Sequence, residues 1–542
     1  MTPKPRRLRA LLALALSGLV LSAVVTVGGA GAAPAQAETY PPITGTGSTW
    51  SSNALDQWRK NVFSNYGMTV NYSGTGSSAG RRDFIAQSVD FAVSEIPFQS
   101  APEDNSAPEV PTTGYAYMPI VAGGTSFMYN LQIGGKRVTN LRLSGDSITK
   151  IFTGVITNWN DQQLKNDNPG LAMPDKPIVP VVRSDGSGST AQFTLWMSKQ
   201  HPDLWKAYSP SGAFTSQYPV GATMKAQNGS LGVAGYVSQG YGEGAITYVE
   251  YSYAKNAGFP VAKVLNSSGY YIEPKATSVA VGLLSATIVN DPSSKDYLTQ
   301  VLDGVYNSAD PRTYPLSSYS YMIVPTQTTT TFTEAKGKTL GAFARYMLCE
   351  GQQQADTLGY SPLPLNLVQA GSEQIAKIPG AGATGVDVST CNNPTFGADG
   401  SNALAESAPQ PAACDKQGPD QCTTGTGGAA ETPTDTTGSG AGGTSADAGG
   451  AAAAPAAGTG AAAAAAATGA TGGAAATYDE TGALISGGTA VVGSAVSSPF
   501  TLPDSGMGPQ QWLMVAAGVL LLGAVLVPPL VSRRLKRAGR DA

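Results

Sequence analysis

The chain has 542 residues, and with 66 glycines and 37 prolines part of that length cannot build a packed core. A formal net charge of −4, from 33 Lys and Arg against 37 Asp and Glu, excludes the basic surface that a nucleic-acid partner needs. Four cysteines and one histidine, at the spacing they have, exclude an ordinary zinc site.

The basic start MTPKPRRLR, the apolar run LLALALSGLVLSAVV and the small residues of APAQA predict a secretory signal peptide over 1–37. No cysteine lies near the cleavage point, so a lipid anchor on the new terminus is not expected. The folded part is expected over 38–395. SSNALDQWRKNVF, 51–63, places Ala54, Leu55, Trp58 and Val62 on one helical face. MTVNYS, 68–73, and DFAVSEI, 90–96, have strand character. Strands that alternate with helices predict an α/β fold with mainly parallel sheets, whose ligands lie at the carboxyl ends of strands.

Three loops share one grammar. TGTGSTW (44–50), SGTGSSAG (73–80) and GSGST (186–190) each bring Gly, Ser and Thr to the start of a helix. The first N–H groups of a helix lack intrahelical partners and sit at the positive end of its dipole, so such an end takes an anion. Ser and Thr also cap helices for stability alone, and for one loop that suffices. Three such loops in one domain, the third in VVRSDGSGST with Arg183 beside it, point to an anion cradle.

No enzyme constellation competes with this. GxxxxGK[ST] and GxSxG are both absent, and the single histidine, His201 in KQHPDLW, is expected in a surface loop where Pro202 ends a helix. No cofactor or metal site is expected. The four cysteines allow three pairings, of which Cys349–Cys391 with Cys414–Cys422 is the most natural, as one longer and one short loop. From 396 to 500 the chain is dominated by Gly, Ala, Ser, Thr and Pro and is expected to be a disordered stalk. LPDSG, 502–506, is similar to a Gram-positive LPxTG sorting signal, with Ser505 in place of Thr. An apolar span follows at 511–531, with a basic tail at 532–542 expected to stay cytoplasmic. The protein is thus expected at the cell surface, held by its C-terminus to the membrane or the wall.

In this order, TGTGSTW, VNYSGTGSSAG, VDFAVSE, FTGVITNWND, VVRSDGSGST and ITYVEYSYAK resemble the phosphate-binding proteins of ABC-type phosphate importers, over about residues 40–368. The resemblance implies a two-lobed periplasmic-binding-protein fold, each lobe a mainly parallel sheet flanked by helices, with the ligand between them. Lobe one would span about 40–126 and 319–395, and lobe two about 127–318. The implied partners are inorganic phosphate and the permease and ATPase of an importer. The implied ligand contacts are Thr49 and Trp50 in the first loop, Ser77 in the second, and Arg183, Ser187, Gly188 and Ser189 in the third. Asp185 would orient Arg183. Glu95 stands where the family has a proton-accepting Asp, Trp50 where Phe is usual, and Ser189 where Thr is.

The chemistry suits that ligand. Phosphate at neutral pH keeps a proton and sulfate keeps none, so one inward-facing acceptor distinguishes them. Two opposed acceptors leave a buried polar group unpaired, at about 1–3 kcal/mol or more. With Glu95 in this role, binding of another tetrahedral oxyanion such as sulfate or molybdate is the alternative. A surface or adhesion protein that reuses the fold is a further one.

Overall fold

Residues 39–425, apart from 389 and 398, with 477–478 and 484–486, are described by a computed structural model. The expected signal peptide, sorting motif, span and tail lie outside the described residues. Among the described residues, no helix is long and apolar enough to cross a membrane. The strands Thr477–Tyr478 and Leu484–Ser486 pair antiparallel in a unit of their own.

The first segments fold as their periodicity requires. Strand β1 is Ile43–Gly47, and helix α1, Ser52–Tyr66, buries Ala54, Leu55, Trp58 and Val62. Strand β2 is Val70–Ser73, helix α2 is Ser77–Ile85 and strand β3 is Phe91–Ser94, buried throughout. Strand β4, Tyr115–Tyr129, is buried from its second residue to its last. Strand β5 (Val179–Arg183) leads to helix α3 (Gly188–Gln200), and strand β6 (Lys225–Gln227) to helix α4 (Gly229–Ser238). Strand β7, Ala245–Glu250, precedes helix α5, Ala276–Leu283, and strand β8 is Ser317–Pro325.

These strands form one eight-stranded sheet in the order β2-β1-β3-β8-β4-β7-β5-β6. Its outer pairs are parallel: β1 with β2 and β3, and β5 with β6 and β7. The central pairs are antiparallel, with β8 between β3 and β4, and β4 beside β7. Two separate sheets, one per lobe, were the expectation. They are joined because β4 serves both: Tyr115–Gly124 pairs with β8, and Thr125–Tyr129 with β7.

The core divides where β4 changes partner. One cluster gathers Ile43, Trp58, Phe91, Met118, Ala122, Tyr319 and Phe343. Another gathers Phe127, Phe152, Trp159, Phe193, Tyr248 and Leu316. Along the chain the first cluster gives way to the second between Ala122 and Phe127, and the second to the first between Leu316 and Tyr319, while α5 in between adds Val279 and Leu283 to the first.

Two expectations are corrected. Residues 396–425 are not the start of a disordered stalk. They run onto the second lobe, where Arg142 donates to the carbonyls of Cys414 (3.1 Å) and Asp420 (2.8 Å) and Lys263 pairs with Asp415 at 2.7 Å. Few apolar side chains are needed, because polar bonds and the Cys414–Cys422 disulfide hold the segment. The other disulfide is Cys349–Cys391, so the pairing matches the sequence expectation. Also, His201 is not a simple surface residue. It is partly buried between α3 and a second helix, Pro202–Tyr208, with its ring edge-on to Trp196 at 5.2 Å. Burial lowers its pKa, although the charge of Asp146 opposes this.

Candidate functional site

Five strand ends deliver the site. β1, β2 and β3 bring the first lobe's loops, and β5 and β6 bring the second's, so the groups meet at the carboxyl ends of parallel strands. Contact between the lobes is direct: the Ser78 N–H donates to the Gly186 carbonyl at 3.1 Å, and Gln192 Nε2 donates to the Glu95 carbonyl at 2.7 Å.

Glu95 follows β3 and is 1% exposed. Its Oε1 accepts from Ser48 Oγ and from Ser320 Oγ, the latter at 2.7 Å. Its Oε2 accepts from Ser77 Oγ at 2.7 Å. A Cβ at Gly188 would lie 1.8 Å from that same Oε2. The carboxyl group of one lobe therefore rests against the first turn of α3 in the other, and only glycine leaves room for it. A hydroxyl has one proton, so Ser77 gives it either to Glu95, as here, or to a ligand.

Arg183 ends β5 and is 2% exposed. Its guanidinium makes a two-point pair with Asp185, through Nε to Oδ1 at 2.7 Å and through Nη2 to Oδ2. The Gly229 N–H also donates to Asp185 Oδ1, at 2.9 Å. Burial raises the Asp185 carboxyl, but the bonds and charge of Arg183 outweigh it, with help from Gly229, and hold it below 3.8. Asp185 thus holds the Arg183 guanidinium through both of its carboxyl oxygens. Gly76, at φ 91, lets the second loop pass close by: a Cβ there would lie 2.6 Å from Asp185 Oδ2.

Thr49 Oγ1 lies 2.8 Å from Ser230 Oγ and accepts from the Ser230 N–H at 3.1 Å. Arg183 Nη1 donates to Ser230 Oγ at 3.3 Å. Ser187 caps α3, with its Oγ accepting from the Thr190 N–H at 3.2 Å. Ser189 is 2% exposed, and its hydroxyl has no partner among the described residues. An orphaned buried hydroxyl costs about 1–3 kcal/mol, so this one is an open donor in the first turn of α3. Trp50, expected to meet the ligand through its backbone N–H, has that group bonded within its own loop. Its N–H is bonded to Ser48 Oγ at 3.0 Å, and its buried indole packs edge-on to Tyr360 at 5.7 Å.

Thr49, Ser77, Glu95, Arg183, Ser187, Gly188 and Ser189 are thus drawn together across the cleft, with Asp185 behind Arg183. Sequence reasoning missed Ser48, Ser230, Ser320 and Gln192. Ser48 lay inside the quoted first loop, and the NGS start of α4 repeats the same grammar at Ser230. Ser320 carried no signal, because it sits within a strand.

A family model for the PBP superfamily domain matches residues 32–350. The chain is 32% identical over 327 residues to the phosphate-binding protein PstS of Xylella fastidiosa strain Temecula1, covering 60% of this chain and 83% of the relative. It belongs to the PstS family of the PBP superfamily. PstS 2 of Mycobacterium tuberculosis is 30% identical over 328 residues, covering 59% of this chain and 82% of that PstS protein. Among solved structures, a phosphate-binding protein from Stenotrophomonas maltophilia aligns at 17% identity and a TM-score of 0.46, over 67% of this chain and 99% of its own.

Proposed function

We propose that this PstS-family protein captures inorganic phosphate between its lobes and delivers it to the permease and ATPase of an ABC importer. The cleft itself is the observation that carries this reading: one guanidinium, one carboxyl group and an unpartnered Ser189 hydroxyl converge at the first turn of α3. Relatives named phosphate-binding proteins support it. The contacts proposed for phosphate are the Arg183 fork, the hydroxyls of Thr49, Ser77, Ser187 and Ser189, and the N–H groups of Gly188 and Ser189. Glu95 Oε2 would take the proton of the bound anion. Trp50 would support the first loop. Arg183, Asp185 and Glu95 together carry no net positive charge, so neutral dipoles must hold most of the anion's charge.

Export by the segment at 1–37 and anchoring through 511–531 belong to the same reading, supported by the apolar and basic patterns of the sequence. Calorimetric titration of the full chain, freed of bound anion, tests it. Phosphate should bind with a saturable heat at one site. A chain that gives no heat with phosphate would end the reading and return the three loops to helix caps.

A further inference from the structure

Glu95 has one more rotatable bond than the Asp that the resemblance puts in its place. A free Glu side chain loses about 1.5–2 kcal/mol of rotamer freedom when it is fixed, and an unfixed one could offer either oxygen to the cleft. Three hydroxyls from three separate segments prevent this here. Ser48 and Ser320 donate to Oε1, and Ser77 donates to Oε2. Each carboxyl oxygen has about two acceptor positions. Both of those on Oε1 are filled, and one on Oε2 stays open, beside Gly188.

Ser320 itself is held. Its hydroxyl lies 2.5 Å from Ser51 Oγ, and since its single proton goes to Glu95, Ser51 must be the donor. This makes a directed relay from Ser51 through Ser320 to Oε1, in which each bond strengthens the next. On the other side, Ser48 Oγ accepts from the Trp50 N–H at 3.0 Å while it donates to Glu95. The strand geometry is irregular at this point. The register of β8 on β4 runs from Ser320 opposite Val121 to Tyr321 opposite Pro119, so Ile120 is bulged out. Bulges of this kind re-aim side chains beside sites.

We infer that Ser320 is a positioning residue, which with Ser48 fixes Glu95 so that Oε2 alone faces the cleft, and thereby sets the preference for a protonated anion. The inference rests on the phosphate-binding reading above. Removal of the Ser320 hydroxyl frees an acceptor on Oε1 and lets the carboxyl group rotate. A protonated anion then loses a fixed partner, and an unprotonated one meets a carboxyl group that can yield.

The test uses the full chain, freed of anion, as wild type and as Ser320→Ala, Ser48→Ala and Ser320→Thr, titrated with inorganic phosphate and with sulfate at several pH values. Ser320→Ala should lower the phosphate-over-sulfate ratio by roughly tenfold, the effect of one hydrogen bond to a charged group. It should also move the pH profile of phosphate affinity. Ser320→Thr keeps a hydroxyl and should restore both. Ser48→Ala acts on the same oxygen from the other side and should repeat the effect, which covers a Ser320→Ala chain that does not fold. Alanine variants that keep the wild-type ratio and pH profile would overturn the inference alone. A wild-type chain that binds neither anion would overturn the phosphate-binding reading itself.

Discussion

The two charged groups that face the cleft are held in opposite ways. Arg183 meets a full countercharge, because Asp185 grips its guanidinium at two points and is pinned in turn by the Gly229 N–H. Among the described residues, Glu95 has no cation as a hydrogen-bond partner, and only serine hydroxyls hold its carboxyl oxygens. The first arrangement cancels charge and leaves direction, a planar fork with fixed donors. The second keeps the charge and fixes the lone pairs. On the proposed reading, an anion that enters between them would be oriented by the guanidinium and examined by the carboxyl group. On that reading the difference would separate affinity, assigned to Arg183 and the helix N–H groups, from selectivity, assigned to Glu95.

Breaking the Arg183 side should have the largest effect. Arg183→Ala removes the fork and leaves Asp185 buried without its partner, a loss of about 3–5 kcal/mol when a buried pair is broken. Phosphate affinity should fall on the order of a hundredfold or more by calorimetry, with a lower melting temperature.

The next prediction presses the two sides together. Gly188→Ala sets a methyl group against Glu95 Oε2, so the lobes cannot approach as they do here. Phosphate affinity should fall by roughly ten- to a hundredfold. Each lobe should keep its fold, so far-ultraviolet circular dichroism should not change.

The smallest effect sharpens the contrast with a third carboxyl group. Glu250 is wholly buried at the end of β7, opposite Thr125 on β4. Its Oε2 accepts from the Ser252 N–H at 2.8 Å, and its Oε1 has no partner among the described residues. Burial pushes its pKa well above the ordinary 4.5, against the hydrogen bonds of Ser252. The folded chain therefore keeps a proton that the unfolded chain releases, and stability from this group declines as pH rises above about 4.5. Glu250→Gln should remove that decline and raise the melting temperature at pH 7 by about 2–4 °C, with little change at pH 4. A melting temperature that rises equally at both values would contradict the assignment.

Much of this was legible in the sequence. The loops announce themselves, because glycine and hydroxyl residues at a helix start are chemically distinctive in a few residues. Helix type followed from periodicity in Ser52–Tyr66, and strand type from the strand-forming residues of Phe91–Ser94. Ser320 was not legible, since a serine in a buried strand becomes informative only when a bulge sets it against a residue 225 positions away. The fold of 396–425 was hidden for a related reason. Arg142 and Lys263 hold that segment from far back in the chain, and composition registers only its lack of apolar side chains. The Trp50 N–H was read as a donor to the ligand, and nothing local says that Ser48 Oγ also takes it.

The most direct test of the account compares the wild-type chain with Glu95→Gln in paired titrations against phosphate and sulfate at neutral pH. The wild type should bind phosphate far more tightly than sulfate. Glu95→Gln, which replaces an acceptor oxygen by a donor amide, should bind sulfate and lose part of its phosphate affinity. If sulfate is refused equally by both chains, Glu95 does not choose the anion, and the separation of affinity from selectivity fails.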